Sequence, residues 1–327
     1  MDFTGKTIFI TGIGGFVGKS TAQFFLEKGA HVVGLVRDYS INYDSNILSK
    51  CSLVVGDLKD RDVLRDTLSN YEVDYVLHLA SQAIVKICDS DPYSAYETNV
   101  MGTVNLLDAC RVLKDAPKKI LCMVSDKYYA TSSVLPYHED ESHPEVGDTY
   151  CCSKTCQDFI ARSYAKTYGL PVIVIRSCNI YGPGDLNFSR LLPKSIVNLL
   201  RGESPILYSH ASEFIREFVY VEDVDRAFEV LLEKGIPGEA YNIGDTEKFQ
   251  ILQAITKIKN LINPNVPIKI QQVEFSEISE QYLNADKIKK LGWKPAIDFD
   301  EGIKRTISFY SRWLDAPKKR VGLQECV

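Results

Sequence analysis

The chain has 327 residues, of which 45% are apolar and 25% charged, as is usual for a soluble globular protein. Its 38 basic and 43 acidic side chains give a net charge of −5, which offers no electrostatic reason for binding nucleic acid. No apolar run approaches the roughly 20 residues that a membrane-spanning helix needs, and the N-terminus MDFTGKTIFITG lacks the pattern of a signal peptide. We therefore expect a cytoplasmic protein without a membrane or nucleic-acid partner.

The nine cysteines are an odd number, scattered mostly in apolar contexts, which predicts reduced thiols. Cys151, Cys152 and Cys156 lie close together but without a CxxC spacing, and histidines number only five. We therefore expect no metal site.

Strands and helices alternate through the first half of the chain. The predicted strands are KTIFITG (6–12), AHVVGLVR (30–37), CSLVVGDL (51–58), VDYVLHLA (73–80), KILCMVS (119–125) and PVIVIRS (171–177). Between them, apolar residues recur every three or four positions, notably over 16–29, 60–70, 93–113 and 149–168. This alternation predicts an α/β fold with a Rossmann-type, doubly wound parallel sheet.

After about Tyr181 the elements become shorter, beginning with the loop-like segment YGPGDLNF. We expect a smaller C-terminal substrate-binding lobe that covers the end of the sheet. The expected division is a dinucleotide-binding domain over 1–180, joined by a segment near 215–245, a mainly substrate-binding lobe over 181–316, and a tail over 317–327.

The segment TGIGGFVG places Gly12, Gly15 and Gly18 between the first predicted strand and the first predicted helix. The chain must turn sharply there, and side chains would block the approach of a pyrophosphate to the backbone and to the helix N-terminus. Between a strand and a helix, the pattern predicts a dinucleotide site, with Phe16 and Val17 in the same turn. The alternative is a glycine-rich turn that only allows the helix to pack on the strand.

The end of the second strand should distinguish the two dinucleotides. An acidic residue there would bind the ribose 2′-hydroxyl of NAD, whereas an arginine would accommodate the 2′-phosphate of NADP. The sequence has Val36 at that point, followed by Arg37 and Asp38; the arginine favours NADP, and the adjacent aspartate leaves NAD open. The further positions expected along the dinucleotide follow the third and fourth strands: Asp57, Leu58, Leu79, Ala80 and Ser81.

Tyr150 and Lys154 are four residues apart in one predicted helix and therefore share a face. An ammonium and a positively charged nicotinamide near the phenol would lower its pKa from about 10 towards neutrality. The phenolate would then take a proton from a substrate hydroxyl while hydride leaves the same carbon, and Lys154 would also hold the nicotinamide ribose. The YxxxK spacing alone is a weak signal of this chemistry, but it becomes a specific one when it follows the glycine turn in the sequence.

With these residues the sequence resembles the extended short-chain dehydrogenase/reductase family, in particular its nucleotide-sugar branch. The resemblance runs from Thr7 to about Pro295 and rests on TGIGGFVG, HLAS, YETNVMGT, YCCSK, RSCNIYGPG, REFVYVEDV and LGWKP. It implies a tightly bound dinucleotide that is recycled: the sugar is oxidised at C4, and a further step follows at the 4-keto stage.

The residues after the fifth strand indicate which step follows. The resemblance makes Ser125 the hydroxyl that binds the sugar 4-oxygen, and it places Asp126 and Lys127 where 4,6-dehydratases hold an acid and a base. The order Ser-Asp-Lys is similar to that of CDP-glucose 4,6-dehydratases. We expect water loss across C5–C6 and hydride return to C6, with Lys127 taking the C5 proton and Asp126 protonating the departing 6-hydroxyl.

Two other functions stay open. A nucleotide-sugar 4-epimerase would need only Tyr150, Lys154 and Ser125, and a dinucleotide-sensing binding protein would keep the fold without turnover. Asp126 and Lys127 would then be an exposed ion pair in a strand-to-loop turn, worth less than ~1 kcal/mol.

The resemblance also assigns residues to a CDP-, UDP-, dTDP- or GDP-linked hexose. It makes Arg216 and Asn179 ligands of the diphosphate, since a diphosphate favours charged and amide donors. The alternative for Arg216 is a surface ion pair with Glu217 or Asp223. Tyr208 would lie against the base, and Asn99 would steady the active-site segment beside the cofactor. The other expected substrate contacts are Gln82, Asn187 and Arg190.

Two departures from the family pattern concern the pocket. Gln281 and Tyr282 occupy a region where many relatives have an arginine, and Tyr128 is bulkier than the cysteine of the CDP-glucose type, which predicts a different pocket shape.

We expect a homodimer, because relatives pair through the helices that correspond to 93–113 and 149–168 in a four-helix bundle.

Overall fold

The computed structural model describes residues 1–38, 46–129, 134–209, 211–272 and 278–316. Its strands, in chain order, are β1 (Thr7–Thr11), β2 (His31–Val36), β3 (Ser52–Val55), β4 (Tyr75–His78), β5 (Lys119–Met123), β6 (Val172–Ser177), β7 (Asn179–Tyr181), β8 (Ile206–Tyr208), β9 (Ile215–Tyr220), β10 (Ala240–Ile243), β11 (Lys248–Gln250), β12 (Lys269–Gln271) and β13 (Glu280–Gln281). Its helices are α1 (Phe16–Glu27), α2 (Arg61–Asn70), α3 (Val85–Ser90), α4 (Pro92–Tyr96), α5 (Gly102–Arg111), α6 (Thr149–Tyr168), α7 (Leu191–Leu200), α8 (Val221–Lys234), α9 (Ile251–Ile262), α10 (Asp286–Lys289) and α11 (Phe299–Asp315).

Seven strands form one parallel sheet in the order β10-β6-β5-β4-β1-β2-β3. Its central strands are apolar on both faces and buried, as expected of a sheet that helices cover on both sides. The strand order reverses between β1 and β4, the point where ligands bind at the carboxyl ends of such sheets. The predicted Rossmann-type sheet is therefore confirmed, and each of the six predicted strands is present.

The seventh strand, β10, comes from the second half of the chain and pairs with β6. The helix before it, α8, packs against α1, and the buried carboxylate of Asp225 accepts hydrogen bonds from Ser20 and Thr21. Residues 215–245 thus place one strand and one helix against the dinucleotide-binding half, while the exact domain limits stay a prediction.

The C-terminal lobe has a core of its own, in which the rings of Phe218, Phe249 and Phe299 pack together at centroid distances of 4.5–5.8 Å. Strand β9 pairs with β7, β11 and β13, and β8 pairs with β12. This arrangement sets the ends of β7 and β9 beside the carboxyl edge of the large sheet. In the part of the chain that the structure describes, every helix is either too short or too polar to span a bilayer.

Helix α6 carries the predicted Tyr-Lys pair and has clear ends. The Asp148 side chain accepts a hydrogen bond from the Cys151 N–H at its start, and Gly169 ends it in a left-handed conformation with φ of 68°. Helices α4 and α5 flank a π-helical turn, Glu97–Met101, that contains Asn99. Such turns often occur at functional sites.

Candidate functional site

The glycine turn between β1 and α1 has the geometry that a pyrophosphate needs. Gly12 has φ of 74°, and a Cβ there would lie 2.8 Å from the Ala80 backbone nitrogen, so only glycine fits. A Cβ at Gly18 would overlap the Gly12 carbonyl oxygen, which shows how closely α1 packs on the turn. Helix α1 begins at Phe16, its N-cap Gly15 offers no side-chain cap, and its first turn holds no acidic residue, so its first N–H groups suit an anion.

A buried hydrogen-bonded chain fixes the end of β4 next to this turn. The Ala80 N–H donates to Thr11 Oγ1 (3.2 Å), which bonds His78 Nδ1 at 2.8 Å. On the other side, His78 Nε2 lies 2.9 Å from Thr103 Oγ1, which donates to the Asn99 carbonyl. Burial lowers the pKa of His78 to about 3, so the ring is neutral. Because the Thr103 hydroxyl donates its proton to the Asn99 carbonyl, it must accept from His78, which assigns the ring proton to Nε2.

The Asn99 side chain joins the β4 loop to the catalytic helix. Its oxygen accepts from Ser81 Oγ (3.0 Å) and the Gln82 N–H (2.7 Å). Its nitrogen donates to the Gln82 carbonyl and to Ser153 Oγ, which in turn donates to the Tyr150 carbonyl. Asn99 is thus a structural link between the segment beside the expected dinucleotide and α6, and Gln82 is held through its backbone.

The residues expected at the adenosine end differ in exposure. Arg37 follows β2 on the surface, and Asp57 accepts from the Lys59 N–H at the end of β3. Leu58 is buried against Gly102 of α5, so its side chain belongs to the core and only its backbone can face a ligand. Phe16 and Val17 are half-buried at the start of α1, and the Phe16 ring lies near Gly184 of the loop after β7.

Tyr150 and Lys154 lie on one face of α6, with the Lys154 Nζ 5.8 Å from the centre of the Tyr150 ring. Burial lowers the pKa of Lys154 to about 8. Burial also raises the pKa of Tyr150, and only the Ser125 hydroxyl and the more distant Arg190 counteract that rise. Burial thus outweighs these groups in the protein alone, and the expected lowering of the Tyr150 pKa by Lys154 together with a positively charged nicotinamide stays a prediction.

Ser125 and Asp126 turn inward at the end of β5, where a 3₁₀ turn spans Asp126–Tyr129. The Asp126 side chain is only 5% exposed; its Oδ1 accepts from Ser125 Oγ at 3.0 Å, and its buried Oδ2 has no hydrogen-bond partner among the described residues. Burial raises its pKa, although Lys127 and Arg216 act in the other direction. Lys127 is half-buried between Asp126 and Cys151.

The fully buried Arg176 of β6 stabilises the 3₁₀ turn. Its Nε donates to Asp158 of α6 at 2.8 Å, and one Nη donates to the Tyr129 hydroxyl at 3.0 Å. The guanidinium also lies 3.6 Å from the centre of the Tyr128 ring. Tyr128 therefore faces Arg176 and α6, while the expectation that its bulk gives the sugar pocket a different shape stays a prediction.

Arg216 of β9 is nearly buried, and its charge acts on the Asp126 carboxylate. Its guanidinium donates to the carbonyls of Ile215, Ile278 and Ser279, so it does not form the alternative surface pair with Glu217 or Asp223. Glu217 instead accepts the backbone N–H groups of Leu283 and Thr246, and burial raises its pKa to about 8.

The other expected substrate residues lie in β7, in the segment between β7 and α7, and in β8. Asn179, exposed at the start of β7, donates to the Glu217 carbonyl. Arg190 pairs with Asp185 at 3.0 Å and is close enough to influence the Tyr150 phenol, whereas Asn187 caps its own loop through Ser189. Tyr208 is 40% exposed at the end of β8, farther along the lobe.

Three residues near the site were not anticipated: Arg176, Gln157 and Glu217. Gln157 follows Lys154 by three residues on the same helix, so helical periodicity alone places it on the catalytic face. Arg176 and Glu217 lie in strands that are mainly apolar and buried, and a charged residue inside such a strand signals a buried partner. No group of three or more metal-ligating side chains occurs in the described part of the chain.

The parallel sheet, the glycine turn at its reversal point and the Tyr150–Lys154 pair define the dinucleotide-dependent class of extended short-chain dehydrogenases/reductases. Within that class, the chain belongs to the family whose model is described as GDP-mannose 4,6 dehydratase, which matches residues 9–306. The predicted relationship to nucleotide-sugar 4,6-dehydratases is thereby confirmed, but its CDP-glucose branch is not.

Individual proteins resemble the chain over nearly all its length. A trifunctional UDP-glucose 4,6-dehydratase/UDP-4-keto-6-deoxy-D-glucose 3,5-epimerase/UDP-4-keto-L-rhamnose-reductase of Arabidopsis thaliana is 30% identical over 95% of this chain and 48% of that protein. The chain spans about half the length of this relative and of two similar Arabidopsis proteins. A dTDP-glucose 4,6-dehydratase from Streptomyces venezuelae, solved with NAD, is 26% identical with a TM-score of 0.85, covering 94% and 97% of the two chains. A UDP-glucose 4-epimerase from Thermotoga maritima is also 26% identical, with a TM-score of 0.88 and coverage of 94% and 99%.

Proposed function

We propose that this chain is a nucleotide-sugar 4,6-dehydratase that converts a nucleoside-diphosphate hexose to its 4-keto-6-deoxy form. The observation that carries the proposal is the Asp126 carboxyl, which is buried at the carboxyl edge of the sheet with one oxygen unpartnered among the described residues. It lies close enough to the Tyr150 phenol to raise the pKa of that group. An epimerase needs no such acid there, so the cost of burying it points to a second chemical step.

The residues present fit a nicotinamide dinucleotide. The glycine turn and the start of α1 would hold its pyrophosphate, and Lys154 and Ala80 would flank its nicotinamide ribose. When bound, a nicotinamide would supply the hydride acceptor for the oxidation at C4 and the hydride donor for the reduction at C6. The exposed position of Arg37 supports NADP through charge complementarity, while NAD is the dinucleotide of the Streptomyces structure.

Tyr150 and Ser125 would act on the sugar 4-oxygen. Ser125 lies beside the phenol and would bind that oxygen, while Tyr150 would take the hydroxyl proton. Because burial keeps the Tyr150 pKa high, its base role requires positive charge to be brought near, and Arg190 and Lys154 are the protein groups placed to contribute. Asn99 would hold α6 and the β4 loop in fixed register during this step.

Asp126 and Lys127 would divide the elimination between them. The raised pKa of Asp126 favours its protonated form, which can donate a proton to the departing 6-hydroxyl. Lys127 would remove the C5 proton, made acidic by the neighbouring ketone, or stabilise the resulting enolate. Because a 3₁₀ turn, unlike a strand, sets successive side chains about 120° apart, both groups can approach one sugar.

The nucleotide side would lie towards the C-terminal lobe. Arg216 and Asn179 would bind the diphosphate, with Arg190 and Asn187 near the phosphates, Gln82 near the sugar and Tyr208 against the base. Because the Arg216 guanidinium already donates hydrogen bonds to the carbonyls of 278–279, it would attract the diphosphate by its charge and also hold that segment in place.

A 4-epimerase is the second candidate, favoured by the likeness to the Thermotoga structure. Incubation with CDP-, UDP-, dTDP- and GDP-hexoses, followed by mass spectrometry, separates the two functions. We expect one nucleotide sugar to lose the mass of one water. A product of unchanged mass but altered C4 configuration would establish the epimerase instead, and no change with any sugar would favour the sensing protein.

We also propose a homodimer through α4, α5 and α6. These helices expose apolar side chains, including Tyr93 (74% exposed) and Phe159 (49% exposed). Exposed large apolar groups on adjoining helices support a helix-bundle interface with a second copy.

A further inference from the structure

Gln157 is a buried polar residue that the proposed chemistry does not use. It lies one turn beyond Lys154 on α6, with no exposed surface. Its Oε1 accepts a hydrogen bond from the Lys154 ammonium at 2.9 Å, whereas its Nε2 has only the weakly accepting Cys122 sulfur near it and no oxygen partner among the described residues. A protein that buries an amide with one half so weakly paired incurs a cost, so the contact with Lys154 needs a reason.

The surroundings of Lys154 are otherwise poor in acceptors. A second hydrogen bond, to the Met123 carbonyl, is long at 3.4 Å. The groups that face Lys154 are neutral near pH 7: the Cys122 thiol of β5, the Cys88 thiol of α3, the His78 ring of β4 and the Tyr150 phenol of its own helix. Within the described residues no carboxylate acts on the Lys154 pKa, so the amide oxygen is the principal acceptor for its charge.

We propose that Gln157 is a positioning residue that keeps Lys154 protonated and oriented inside the catalytic helix face. A neutral amide can do this without forming a fixed ion pair, which leaves the ammonium able to reach a ligand oxygen. A carboxylate at 157 would bind the ammonium more tightly and hold it back. The importance of Gln157 for turnover rests on the function proposed above, but its coupling to Lys154 does not.

The test is the pH dependence of stability, because it needs no substrate. Lys154 has a lower pKa in the folded chain, about 8, than its ordinary value of 10.5, so the free energy of unfolding rises between those pH values. Gln157→Met removes the acceptor and lowers the folded-state pKa further. The loss of stability caused by Gln157→Met should therefore be greater at pH 6.5 than at pH 10, by about tenfold in the unfolding equilibrium constant.

Two further variants make the result specific. In a Lys154→Met background, the effect of Gln157→Met should lose its pH dependence, while other titrating groups remain unchanged. Gln157→Glu should move the rise in the free energy of unfolding to higher pH, whereas Gln157→Met should move it to lower pH. The glutamate variant also provides the test if the methionine variant does not fold. Urea unfolding from pH 6.5 to 10 measures all of them. Equal costs at every pH, or a pH dependence that persists without Lys154, would overturn the proposal.

Discussion

The Arg176–Asp158 pair beneath the 3₁₀ turn offers a test of how the candidate catalytic turn is held. Both side chains are fully buried, and Arg176 also bonds the Tyr129 hydroxyl and the Glu139 carbonyl. Arg176→Met keeps similar volume but leaves the Asp158 carboxylate with Arg162 alone. Removing one partner of a buried pair costs about 3–5 kcal/mol, a large share of the about 5–15 kcal/mol that stabilises a domain.

Arg162 is the matched control, because it pairs with the same carboxylate at 2.8 Å but is 37% exposed. Arg162→Met should cost no more than about 1 kcal/mol. Replacing both Arg176 and Asp158 by apolar residues should recover much of the loss, since no uncompensated buried charge remains. Urea unfolding at pH 7.5 compares the variants. Equal losses for Arg176→Met and Arg162→Met would show that the buried arginine does not hold the turn.

Three further variants test the site and the surface. Asp126→Asn should gain stability relative to the parent as pH rises from 4 to 8. Between the ordinary pKa of 3.8 and the raised folded-state pKa, the folded parent keeps a proton that the unfolded chain releases, so the free energy of unfolding of the parent falls by about 1.4 kcal/mol for each pH unit of that interval. An equal difference in the free energy of unfolding between the two proteins at pH 4 and pH 8, measured by urea unfolding, would contradict this. Tyr93→Arg with Phe159→Glu should yield monomers by light scattering, and a parent that is already monomeric would refute the dimer. Arg37→Ser should weaken NADP binding about tenfold or more by calorimetry while sparing NAD, and an unchanged preference would remove the arginine's assigned role.

Much of the large sheet could be predicted because its signal is local. Each central strand is a short apolar run bounded by turn residues, and a strand buried on both faces needs no information from elsewhere. The predicted bounds of helix α6, 149–168, are confirmed, because Asp148 and Gly169 are end signals next to the segment itself. The glycine turn could be predicted for the same reason.

The direction of individual side chains was less predictable. Tyr128 follows Asp126 and Lys127 in sequence, but the 3₁₀ turn rotates it away from them, towards a guanidinium that arrives from β6. Two of the three carbonyls that Arg216 binds lie more than 60 residues away, in the segment beside β13, so no local pattern could reveal them. Contacts set by the packing of distant elements are beyond periodicity and motif spacing.

The pKa of Tyr150 shows a similar limit. Its spacing from Lys154 predicts the shared helix face, yet burial dominates the phenol, and burial depends on the completed fold. The inward direction of Asp126 was likewise open at the level of sequence. The fold gives it a buried place beside Ser125, against the alternative of a solvated ion pair.

The central claim is that Asp126 and Lys127 carry the elimination while Tyr150 carries the oxidation. With the nucleotide sugar that the parent accepts, Asp126→Asn and Lys127→Ala should still reduce the bound nicotinamide, seen by its absorbance, but lose at least about a hundredfold in the rate of water loss. Asp62→Asn, on the exposed surface of α2, is the control and should behave as the parent. Water loss at the parent rate in both site variants would contradict the assignment of the two side chains.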